Sequence, residues 1–215
     1  MALRLLLIGI GLAAWFGSQH WIGARAYTGG IGDGVLDLLA PVNRYLLTHT
    51  AARNALLISS SAVIDLLTLF IFAKALFGKT LRPFVGLLML FALRQICQAL
   101  CVLPTPPDMI WPKEGPGFPS LFVTYGVGND LFFSGHTALA VFGASELVRT
   151  RRWLWPVAVA AALFEMAAVL SLRAHWTMDV YAGAVTALLV AFVAEDAARP
   201  IDRMLARASG ERAAR

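Results

Sequence analysis

The chain has 215 residues, 59% of them hydrophobic and 14% charged, with a net charge of +5. Soluble globular domains carry about a quarter charged residues; this composition, with a mean hydropathy of +0.70, excludes a soluble enzyme and marks an integral membrane protein. The basic residues sit between apolar runs instead of on one polar face, so the charge reads as membrane orientation and not as nucleic-acid binding.

The length suits about six spans of roughly 20 residues with short connections. The expected fold is all-α, a single membrane domain over 1–215 built as a bundle of six transmembrane helices. The first apolar run, 2–16, is short for a span. No clear small-x-small cleavage site follows it, so a retained first helix is expected. Residues 20–54 are mixed, and glycine-rich around Gly29-Gly30-Ile31-Gly32. Val35 to Leu39 and Tyr45 to Leu47 suggest an amphipathic helix at the bilayer interface.

The second run, 55–77, carries Ser61, Asp65 and Thr68 at helical spacing, on one face. The third, 81–103, opens with Arg82-Pro83 and places Arg94, Gln98 and Cys101 on one face. Cys97 and Cys101 are the only cysteines, and both fit small buried apolar positions better than a disulfide or a metal pair. Residues 104–129 form a proline-rich loop expected to lie on the interface near a functional site. Three further runs follow, 132–148, 153–172 and 178–194. The basic tail, 199–215, reads as a short surface helix followed by disorder. No internal repeat is present.

The arginines orient the bundle. Lys74, Lys79 and Arg82, then Arg149, Arg151 and Arg152, then the tail arginines and Arg4 fall on one side. The positive-inside rule makes that side cytoplasmic. Both termini are then inside, while His136 and His175, each at the mouth of an apolar run, fall on the extracytoplasmic side.

Asp130-Leu131-Phe132-Phe133-Ser134-Gly135-His136-Thr137 places a polar turn before the fourth run. Ser134 suits an N-cap, and Gly135 lets the backbone approach an anion. The free amides of a helix start favour phosphate. Arg94 and Arg173 can add positive charge. His175 and Asp179 are four apart, so the carboxylate can hold one imidazole nitrogen and leave the other basic. A lone His-x-x-x-Asp pair is more often structural; a Ser-Gly-His on the same side favours chemistry. Two histidines flanking a phosphate suit a nucleophile and a general acid. Asp65 pairs with Arg94 or acts directly. Glu165, mid-span, helps a proton leave or bonds to a neighbouring helix.

Ser134-Gly135-His136 and His175-x-x-x-Asp179 resemble the second and third motifs of the type-2 phosphatidic acid phosphatase superfamily. The pattern from Asp130 to Thr137, and His175-Trp176-Thr177-Met178-Asp179-Val180, is more similar to the sphingomyelin synthase-like branch. Arg94-Gln95-Ile96-Cys97 leading to Leu103-Pro104 resembles that branch's arginine-bearing third helix. The resemblance covers roughly 81–194, the expected catalytic core. It implies His175 as nucleophile, Asp179 as its orienter and His136 as the acid for the leaving oxygen, with Arg94, Ser134, Gly135, Asp130 and Arg173 around the substrate. The chain departs from the phosphatase branch. Lys74 precedes Arg82-Pro83 by one residue more than the phosphatase motif allows. Val169 stands where that branch has an arginine.

The expected activity is therefore a membrane lipid phosphotransferase, passing a phospho-head group to a lipid hydroxyl. Two alternatives stand beside it: a lipid phosphatase or diphosphatase, and a non-enzymatic membrane protein. The expected partners are phospholipid and lipid-alcohol substrates, and an oligomer is compatible. No metal or cofactor is implied. The expected location is a bacterial inner membrane, with the site facing the periplasm.

Overall fold

The computed structural model describes residues 30–110 and 131–208, together with Ala13, Phe16, Gly17 and His20. Most of the expected first span, most of the proline-rich loop and the last seven residues lie outside the described residues. The chain divides into two compact units, Met1–Gly32 and Asp33–Arg215. In the first, the four isolated described residues are helical and exposed. All that follows concerns the second.

The second unit is helical, with no strand among the described residues. Two short helices come first, α1 (Gly34–Leu38) and α2 (Ala40–Thr48). They are followed by α3 (Thr50–Phe77), α4 (Arg82–Leu100), α5 (Gly135–Thr150), α6 (Trp155–Ser171, after a 3-10 turn at Arg152–Leu154) and α7 (Thr177–Ala208). Prolines in the first turn start α2, α4 and α6, where a missing N–H costs nothing. The single amphipathic helix expected near the interface is two, broken at Leu39, and Leu36 and Leu46 turn inward while Leu38 and Tyr45 stay exposed.

Among the described residues, four helices are long and apolar enough to cross a membrane: α3, α4, α6 with its leading turn, and α7. The expected run at 132–148 became α5, which differs from the others. Its 16 residues rise about 24 Å, short of the roughly 30 Å of a hydrocarbon core. It packs against α3, α4, α6 and α7 alike, so it is the centre of the bundle. Small residues make that possible: Gly86 on α4 lies against Phe142, and Gly143 lies against Leu67. Phe142 is fully buried, in a core with Ile71, Leu87, Leu90, Phe133 and Val190.

α7 runs 14 residues past the expected end of the last span at 194, with Pro200 inside it. The start of the basic tail therefore continues a membrane helix instead of forming a separate one. Part of the reason lies at the end of the bundle where α5 finishes. There Arg82, almost wholly buried, pairs with buried Glu146 and lies 3.4 Å from Glu195 on α7. Its Nη2 also donates to the Ala191 carbonyl at 2.6 Å. Arg149 meets Glu195 at 3.0 Å. About two turns further, Asp202 accepts from the Thr80 hydroxyl and from the Leu81 N–H. These bonds tie the extended end of α7 to the start of α4.

Candidate active site

The opposite end of the bundle holds both histidine motifs. Ser134 is the N-cap of α5, and its Oγ accepts from the Thr137 N–H at 3.3 Å. The cap leaves His136 half-buried on the first turn. Arg94, on the last turns of α4, donates from Nε to the Phe133 carbonyl at 3.1 Å. A Cβ at Gly135 would stand 3.1 Å from that Nε. The guanidinium therefore lies directly against the start of α5, and glycine is what lets it come so close.

The second motif occupies the turn from α6 into α7. His175 and Asp179 are both buried, with His175 Nδ1 3.7 Å from Asp179 Oδ2. That is ion-pair range and longer than a hydrogen bond. Asp179 Oδ2 also accepts from the Trp176 N–H at 3.0 Å. The two motifs are joined through the backbone, because Ser134 donates its N–H to the Asp179 carbonyl at 3.1 Å. His136 lies within electrostatic reach of both His175 and Arg94. His136, His175, Asp179, Arg94, Ser134 and Gly135 thus share one end of the bundle. Asp130 lies outside the described residues.

Arg173 has a different setting. It adopts φ 52°, a backbone region that an arginine enters only when its surroundings hold it there. Its Nη1 donates to the Pro107 carbonyl at 3.0 Å and its Nη2 to the Leu36 carbonyl at 3.2 Å, with Asp108 at 3.6 Å. The guanidinium is engaged in holding the turn to the segments that cover it. Asn43 serves the same end, bonding the carbonyls of Asp108 and Ser171, and Trp176 Nε1 donates to Pro104 at 2.8 Å.

Asp65 is half-buried on α3. Glu165 is fully buried on α6 and accepts from Ser60 on α3 at 2.8 Å, so the bond to a neighbouring helix is present. Val169 packs among Leu46, Leu57, Ile110 and Leu172; its position offers no polar group to a phosphate.

One residue of this region escaped the sequence analysis. Asp33 caps α1 and also binds Thr177, accepting from its N–H and its hydroxyl, each at 2.7 Å. Burial alone would raise the Asp33 carboxyl, but the bonds from Thr177, Leu36 and Val35 outweigh it and hold it below its usual range. Asp33-Gly34 before a helix is a cap signature; nothing local points to Thr177.

The described residues thus form a helical bundle that carries two histidines and an arginine at one end. The AtPDCT1/2 family model matches residues 34–196, and the chain belongs to that family, one of lipid phosphotransferases. No curated protein and no solved structure matches the chain.

Proposed function

We propose that the protein transfers a phospho-head group, phosphocholine in the first instance, from a phospholipid to the hydroxyl of diacylglycerol. The observation that carries this is the Ser134–Asp179 backbone bond, which fastens the Ser-Gly-His turn to the His-x-x-x-Asp turn. The family supports the substrate class, since its name denotes phosphatidylcholine:diacylglycerol cholinephosphotransferases. The motif pattern supports membership of the type-2 phosphatidic acid phosphatase superfamily, sphingomyelin synthase-like branch.

In the first half-reaction, the His175 nitrogen remote from Asp179 attacks phosphorus. A P–N bond forms and the P–O bond to diacylglycerol breaks. His136 gives its proton to the departing oxygen. Asp179 faces the other ring nitrogen and stabilises the positive charge that develops on the imidazole. Arg94 and the amides at the start of α5 receive the phosphate oxygens. In the second half, the acceptor hydroxyl gives its proton to His136 and attacks phosphorus, and the P–N bond breaks. Asp65 and Glu165 act from below the site, as ion partner and helix contact. The apolar packing of Val169 argues against a phosphatase built on an arginine at that place.

The remaining parts of the proposal concern placement. Within Asp33–Arg215, α5 serves as a short span beside α3, α4, α6 and α7, in keeping with the expected count of six. Both termini are cytoplasmic, and the site faces the periplasm of a bacterial inner membrane, in accord with the arginine distribution.

The test is an incubation of protein in liposomes with head-group-labelled phosphatidylcholine and a diacylglycerol or ceramide of distinguishable chains. Transfer yields labelled phospholipid carrying the new chains, and His175→Ala abolishes it. A parallel arm offers phosphatidic acid and a lipid diphosphate labelled in phosphorus, and release of inorganic phosphate there without head-group transfer would establish the phosphatase alternative. No product in either arm, with the protein folded, would leave only the non-enzymatic one.

A further inference from the structure

α7 opens without a capping side chain of its own. Trp176 precedes Thr177, and an indole has no oxygen to accept from the first free amides. Asp179, three residues on, supplies one half of a reciprocal cap by accepting from the Trp176 N–H at 3.0 Å. The other half comes from a residue 144 positions away in the chain, Asp33. Its Oδ2 accepts from the Thr177 N–H and its Oδ1 from the Thr177 hydroxyl, both at 2.7 Å. The same Oδ1 accepts from Val35 at 3.1 Å and Leu36 at 3.2 Å. A single carboxylate therefore closes the positive starts of α1 and α7 together.

That closure reaches the histidine. The Asp179 oxygen bonded to Trp176 is the one 3.7 Å from His175 Nδ1. Asp179 Oδ1 is buried and has no hydrogen-bond partner among the described residues, so the first turn of α7 is what fixes this carboxylate. We propose that Asp33 is a positioning residue for His175, holding the first turn of α7 so that Asp179 stays aligned with the imidazole. Only the kinetic arm of the test below rests on His175 being the reacting group; the spectroscopic arm does not.

The chemistry at Asp33 sets the variants. Each of its four partners is a donor, so Asp33→Ala removes every bond. Asp33→Asn keeps the acceptor side and turns an amide N–H against a donor on the other. Asp37→Ala, which removes an exposed carboxyl from the same short helix, is the control. The full-length protein in nanodiscs is measured by ring-nitrogen NMR with labelled histidine, and by transfer kinetics. Asp33→Ala and Asp33→Asn are expected to move the His175 ring signals toward those of Asp179→Asn, while Asp37→Ala leaves them unmoved. kcat should fall about 10- to 100-fold, the scale of a misplaced reacting group, with KM held within about threefold. The pH–rate profile should shift as in Asp179→Asn. Wild-type ring signals in a variant that merely melts lower would overturn the proposal and leave Asp33 a simple cap. If Asp33→Ala does not fold, Asp33→Asn is read by the same criteria. If the wild-type protein transfers no head group, the ring signals alone decide.

Discussion

Gly183 on α7 approaches Ser134 so closely that a Cβ at this position would stand 2.7 Å from the Ser134 carbonyl oxygen and 3.5 Å from the Ala138 nitrogen. The obstacle is backbone, which cannot rotate aside. Gly183→Ala must therefore push α7 away from the start of α5 and stretch the Ser134–Asp179 bond. The expected loss is about 1–3 kcal/mol of stability, the usual range for overpacking, and at least tenfold in transfer rate. Gly143→Ala is the comparison: the nearest atom to its Cβ would be Leu67 Cβ, at 3.1 Å, a milder approach that asks a shift of only a few tenths of an ångström. Melting temperature and rate should both fall further for Gly183→Ala; the opposite order would show that the contact with Ser134 is slack.

The two histidines should fail differently. In the proposed mechanism His175→Ala lacks the attacking nitrogen, so no phosphohistidine should form with any substrate. In the same mechanism His136→Ala loses only the help given to the leaving group, worth about 10²–10⁴-fold. A nitrophenyl phosphodiester, whose leaving group needs little help, should partly rescue His136→Ala and not His175→Ala. Equal rescue of both would reverse or dissolve the division of labour between them.

Ser60 supplies the hydrogen bond to buried Glu165, whose second oxygen has no partner among the described residues. Ser60→Ala should cost about 1–3 kcal/mol, because it strips the carboxyl of that bond. Glu165→Leu with Ser60→Ala removes both polar groups and should recover most of the loss. Thermal denaturation of the single and double variants tests this, and additive losses would mean the two residues do not act on each other.

The Arg82–Glu146 pair offers a sharper case. Arg82→Ala leaves Glu146 buried without its counterion, and breaking a buried pair in this way costs about 3–5 kcal/mol. Arg82→Met with Glu146→Leu removes both charges and should be far milder. This end of the bundle is about three helical turns from His136, so the double variant should retain head-group transfer. A double variant as unstable as Arg82→Ala would show that Glu195 and Ala191 carry the interaction instead.

Asp33 gives a pH signature outside the membrane segments. Its carboxyl is held below its ordinary value of 3.8 by the bonds it accepts. A depressed carboxyl contributes stability that is present above the unfolded value and lost as pH falls through the folded one. Wild-type protein should therefore lose an increment of melting temperature below about pH 4 that Asp33→Asn lacks. Parallel curves for the two proteins down to pH 2.5 would show that the carboxylate contributes nothing.

Much of the site was legible because its signals are local. Ser134 before Gly135-His136 is a cap followed by its helix, and His175 and Asp179 are one helical turn apart, so spacing alone brought them into range. The same holds for the starts at Pro83 and Pro156. What escaped was set by distance along the chain. Arg173 looked like a free cation beside a nucleophile, yet Leu36 and Pro107 take its guanidinium. Asp33 could be recognised as a cap, but not as a partner of Thr177. Helix ends were also misjudged where polar residues continue a helix: Arg53 and Asn54 belong to α3, and the first tail arginines belong to α7. Hydropathy marks where lipid contact ends, whereas hydrogen bonds decide where a helix ends.

The charge cluster around Arg82 has a consequence for how the protein is made. Arg82 leaves the ribosome before either of its acidic partners, and Glu195 follows it by more than a hundred residues. At about 5–20 residues per second, α4 waits on the order of ten seconds for its last counterion. Glu146, on α5, reaches it sooner, so the arginine gains its buried partner part-way through that interval. Its full set of contacts is complete only once Ala191 and Glu195 on α7 have been made.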